Sequence, residues 1–119
     1  MLDHIVIGVS DLAAAKAFYA QALAPLGIGP LMEFPNVVGF GADGKPEFWL
    51  RQASAPTPVH VAFRTDRGVV DAFHAAALAA GATDNGGPGK REIYHPHYYG
   101  AFVLDPDGHN VEAVCHDPS

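Results

Sequence analysis

His4-Ile-Val-Ile-Gly-Val-Ser-Asp-Leu-Ala-Ala-Ala-Lys-Ala-Phe18 and His60-Val-Ala-Phe-Arg-Thr-Asp-Arg-Gly-Val-Val-Asp-Ala-Phe73 are two versions of one pattern. Each opens on a histidine, and the copies run on to Gly27 and Gly81. Self-similarity at this spacing is the signature of a duplicated supersecondary unit. If the two units pair, both histidines fall at equivalent places, where a metal ion can be held.

Working outward from the first copy, Leu2 to Val9 is β-branched and alternating, which predicts a strand. Ser10-Asp11 offers a helix cap ahead of the alanine-rich stretch Leu12 to Leu23. Pro25, Gly27, Gly29 and Pro30 end that helix. Short apolar pieces near Leu31 to Phe34, Val37 to Gly41 and Phe48 to Gln52 follow, separated by Pro35-Asn36 and Asp43-Gly44, and read as three strands.

The second copy repeats the order. Val59 to Arg64 reads as a strand and Val69 to Ala80 as a helix ended by Gly81. A short strand precedes the Gly- and Pro-rich loop Asn85 to Gly89. Strands near Tyr98 to Leu104 and Asn110 to His116 flank the turn Asp105-Pro106-Asp107-Gly108. The expectation is a single α+β domain over 1–119, built of two tandem βαβββ modules, about 1–53 and 58–119. Ala53 to Pro58 would be the linker between them.

Composition narrows the function classes. With 119 residues, 49% hydrophobic and 17% charged, the chain has the make-up of one globular domain. A net charge of −6 and seven scattered Lys and Arg argue against nucleic acid and anionic membrane as partners. The chain starts on a strand with no signal-like segment and has no membrane-length apolar run, so a cytoplasmic location is expected. The single Cys115 agrees with a reducing compartment and reads as a small core residue. Gly86-Gly87-Pro88-Gly89-Lys90 lacks both the first glycine and the Ser or Thr of a phosphate loop.

The βαβββ duplication, the opening histidines, and Asp105-Pro106-Asp107-Gly108-His109-Asn110-Val111-Glu112 resemble the vicinal oxygen chelate superfamily. It includes glyoxalase I, extradiol dioxygenases, fosfomycin-resistance proteins and metal-free bleomycin-binding proteins. In metal-binding members the first strand of each module supplies a histidine and the last strand of the second a glutamate. The resemblance therefore implies His4, His60 and Glu112 as ligands of a divalent ion, Fe, Mn, Ni or Zn. It also implies a curved mixed sheet around a metal and substrate cavity, and a homodimer whose site is formed by modules of one chain or exchanged between two. The fourth ligand position of four-ligand members aligns with Trp49, which cannot ligate; Glu47 would serve only in another register.

Residues two apart on a strand share a face, so His4 goes with Val6 and Gly8, His60 with Ala62 and Arg64, and Glu112 with Asn110, Val114 and His116. Small and polar neighbours suit a cavity wall. Two imidazoles and a carboxylate leave positions open on an octahedral ion, as a substrate with vicinal oxygens requires. Tyr94 to Tyr99 is partly an insertion beside that cavity. Tyr98 or Tyr99 is a candidate hydrogen-bond donor, and His95, His97 or His116 a candidate proton shuttle, with packing as the plain alternative. The expectation is a metal-dependent enzyme of glyoxalase or dioxygenase type. The alternative is a metal-free protein that sequesters an aromatic ligand, favoured by Trp49 and Phe48.

Overall fold

The computed structural model describes residues 1–118. The first module runs β1 (Ile5–Val9), α1 (Leu12–Ala22), a 3-10 turn (Ala24–Leu26), β2 (Gly29–Phe34), β3 (Val37–Ala42) and β4 (Lys45–Gln52). The second runs β5 (His60–Arg64), α2 (Arg67–Ala79), β6 (Thr83–Asp84), β7 (Gly89–Lys90), β8 (Tyr99–Leu104) and β9 (Asn110–Cys115). The α+β class and the tandem module order are those expected from the sequence. β6 and β7 both pair β8, so together they are one interrupted strand equivalent to β2.

The sheet consists of two separately hydrogen-bonded halves, ordered β1-β4-β3-β2 and β5-β9-β8-β6. In each, the opening strand lies parallel to the last strand and the rest is antiparallel. One face of each half is covered by its helix; the other is concave and carries the residues of interest.

Local chemistry explains the helices. The Asp11 and Asp66 carboxylates accept from the backbone N–H of Ala14 and Val69, satisfying donors that the first helical turn leaves free. Helix α2 stops where Gly81 takes φ +102°, a conformation that favours glycine. Phe18, Tyr19 and Phe73 are buried on the sheet with Val9, Phe40, Leu50, Val103, Val111 and Ala113. Leu78, near the end of α2, is exposed. Cys115 is a buried free thiol on the helix side of β9, as expected.

The modules are joined by a polar latch at the Asp105–Asn110 turn. His109 is fully buried; its Nε2 donates to Gly8 O at 2.7 Å, and its Nδ1 accepts from Val59 N at 3.0 Å. The Tyr19 hydroxyl donates to Asp105 Oδ2 at 2.5 Å, and Ser10 donates through N and Oγ to Asp107. Burial first, and then the Asp105 charge, push the Tyr19 pKa far up, so the phenol stays a donor. An edge-on pair of Phe48 and Phe63, 5.4 Å between centroids, continues the join.

Candidate metal centre

Glu112 sits in the middle of β9, facing Ala62 on one side and Phe102 on the other. Its side chain points to the concave face yet is only 1% exposed. A buried carboxylate needs donors, and it has two. His60 Nε2 lies 2.8 Å from Oε1, and the Tyr98 hydroxyl donates to Oε2. Gly100 makes this approach possible, since a Cβ there would lie 3.2 Å from the Tyr98 ring and 3.3 Å from Glu112 Oε2.

Burial, then the hydrogen bond and charge of Glu112, push the Tyr98 pKa up. The phenol is therefore a neutral donor at physiological pH. Asn110, two residues from Glu112 on the same face, has a buried Oδ1 with no hydrogen-bond partner among the described residues.

The insertion wraps this pair. Tyr98 packs against Tyr94, His95 and His116, with centroids 4.8, 5.4 and 5.3 Å away. His95 Nδ1 accepts from the His97 backbone N–H, which leaves the proton of a neutral ring on Nε2; that proton is donated to His116 Nδ1 at 2.8 Å. His97 contributes only its backbone here, and its ring contacts His95 rather than Glu112. Tyr99 points the other way: its hydroxyl donates to Asp71 on α2 at 2.6 Å, and Arg67 lies over its ring. Of the two candidate tyrosines, Tyr98 is the one beside Glu112, because consecutive residues at a strand start face opposite sides.

His4 does not join them. It lies one residue ahead of β1, with its Nδ1 2.7 Å from Asp3 Oδ1 and half its side chain exposed. The hydrogen bond to His4, and then Lys45, hold Asp3 below the ordinary carboxylate range. Among the described residues no three His, Cys, Asp or Glu side chains are grouped to hold one ion. Of the two arrangements the sequence leaves open, one chain or two, the structure does not bring His4 to His60 and Glu112 within one chain. The concave face bearing His4 and that bearing His60 belong to different sheet halves, and strand periodicity fixes a face without fixing how two sheets are set.

Pairing settles the register left open in the sequence. Val6 pairs with Trp49, two residues after His4, just as Ala62 pairs with Glu112, two residues after His60. Trp49 is thus the counterpart of Glu112. Glu47 is exposed, near Lys45 Nζ at 4.0 Å.

The profile of a family described as a glyoxalase-like domain matches residues 4–114. The chain belongs to the glyoxalase-like domain family. This places it in the vicinal oxygen chelate superfamily. A curated relative, the metallothiol transferase FosB of Shouchella clausii (strain KSM-K16), is 27% identical over 115 residues, covering 93% of this chain and 77% of the relative. A crystal structure of a glyoxalase/bleomycin resistance protein from Albidiferax ferrireducens T118 is similar at 29% identity and TM-score 0.83, over 97% of this chain and 98% of that one. Lactoylglutathione lyase from Agrobacterium tumefaciens, at 20% identity and TM-score 0.71 over 97% and 92%, shares the glyoxalase-like fold.

Proposed function

We propose that this glyoxalase-like protein is a metal-dependent enzyme acting on a small substrate with vicinal oxygens. His60 and Glu112 of one chain and His4 of a second copy would hold the ion. The observation that carries the reading is the 2.8 Å approach of His60 Nε2 to a buried Glu112 oxygen on an open concave face. Two ligands of one ion, each about 2.1 Å from it, sit about 3 Å apart, so this donor pair fits the group. Asn110 on the same face carries a buried Oδ1 with no hydrogen-bond partner among the described residues, a further polar group left unpaired beside the pair. A relative named a metallothiol transferase supports metal dependence.

A second copy is invoked because His4 is kept from His60 and Glu112 in its own chain while remaining exposed. A homodimer with two equivalent sites satisfies all three residues, and a buried free thiol suits a reducing cytoplasm.

When bound, the ion would act as a Lewis acid toward the substrate oxygens. Glu112 supplies the negative charge that binds it, and the Tyr98 hydroxyl orients that carboxylate through Oε2. The His95–His116 pair and Tyr94 pack against the Tyr98 ring and hold it beside Glu112. His116, on the face of Glu112, is placed to pass protons between this wall and solvent. Reactions within reach are those of isomerase, lyase or extradiol dioxygenase type.

The test is elemental analysis after loading the purified chain separately with Fe, Mn, Ni and Zn. About one ion per chain is expected for at least one metal. No stoichiometric metal in any preparation would remove the reading.

A further inference from the structure

Trp49 stands where its counterpart in module two is a carboxylate, and its surroundings are built around the indole. The ring lies flat on Gly39, its cross-strand partner; a Cβ at that position would come within 2.8 Å of the six-membered ring, so only glycine allows the pose. Phe34 stacks nearly parallel to it, 20° between planes and 6.4 Å between centroids. Beyond that stack, Trp49, Val6, Val37 and Pro46 form the apolar walls of a cavity of about 400 Å³ that Phe34 itself does not line. His4 lies on its rim.

Two cations line this cavity, and they differ. Lys45 is occupied by Asp3 and Glu47. Arg51, two residues beyond Trp49 on the same face and paired with Val37, has no ion pair or side-chain hydrogen bond among the described residues. Among the described residues the cation–π contacts are made by Arg67 and Arg91, so Arg51 is not spent on the indole. An arginine left open at the end of an aromatic floor matches a flat ring carrying an anionic group.

The geometry points to an aryl-anion subsite in module one, in which an aromatic ring stacks on Trp49 and its carboxylate or similar group pairs with Arg51. Resting on the proposed function for this step only, the substrate class becomes an aromatic acid whose vicinal oxygens lie on the His4 side. The subsite itself is complete without metal. A neutral ligand would leave Arg51 unused, and a non-aromatic acid would leave the open Trp49 surface unused.

Calorimetric titration of the full chain with 2-naphthoate, in EDTA, tests this. Saturable binding of about one per chain is expected, at least about five-fold tighter than 2-naphthalenemethanol or cyclohexanecarboxylate. Arg51→Gln, an exposed position, should abolish the preference for naphthoate over the alcohol, and Gly39→Ala should weaken both aryl ligands by displacing the indole. Absence of saturation, equal binding of cyclohexanecarboxylate, or an unchanged acid preference in Arg51→Gln would overturn the subsite. Because naphthoate lacks vicinal oxygens and EDTA is present, failure here leaves the metal reading standing. Failure of metal loading likewise leaves this titration intact.

Discussion

Glu112→Gln is expected to lower metal affinity by at least about 100-fold, so that the loaded chain retains less than roughly a tenth of an ion after desalting. The change removes one charge and almost no volume. An amide oxygen can still accept from the Tyr98 hydroxyl, and the amide N–H₂ can donate to a His60 ring nitrogen, so both contacts of the buried side chain survive. Unfolding free energy should therefore shift by no more than about 1 kcal/mol. Metal loss with stability kept separates a ligand from a structural residue. Full metal content in the variant would mean that Glu112 is only a buried acceptor for His60 and Tyr98.

His109→Ala is expected to cost about 3–5 kcal/mol, read from urea unfolding followed by circular dichroism. The ring is fully buried and bridges two otherwise unpaired main-chain groups, Gly8 O in β1 and Val59 N ahead of β5. Removing it orphans both, at about 1–3 kcal/mol each, and leaves a hole beside the Asp105–Tyr19 contact. A domain of this size has about 5–15 kcal/mol in total, so a large part of the stability is at stake. Since the latch ties module one to module two, the variant should also lose any activity that needs the two concave faces set correctly. A cost below about 1 kcal/mol would show that the apolar join at Phe48 and Phe63 is sufficient alone.

Much of the fold was legible because β-branched alternation, the Ser10-Asp11 cap and Gly81 agree with one another, and the second copy repeats the first. The assignment of Glu112 to the concave face was legible for the same reason, since one strand parity fixes it. Tyr98 and Tyr99 were not separable in the sequence: a one-residue slip in the register of β8 against β9 exchanges their faces, and only the pairing fixes it. His109 read as part of a turn, because its partners are main-chain atoms 101 and 50 residues away that no side-chain pattern marks. The resemblance names His4, His60 and Glu112 as one ligand set but leaves open whether one chain or two supply it. Trp49 was recognised as the departure, while Gly39 beneath it and Arg51 beside it carry no signal until pairing puts them on one face.

The sharpest measurement is the metal content of a refolded one-to-one mixture of His4→Ala and Glu112→Ala chains. Each variant alone should hold almost no ion. If His4 serves the His60 and Glu112 of a second copy, half of the dimers in the mixture are mixed and each has one intact site, giving roughly a quarter of an ion per chain. A mixture that stays as empty as its two components, while the unmodified chain loads fully, would contradict a site shared between copies.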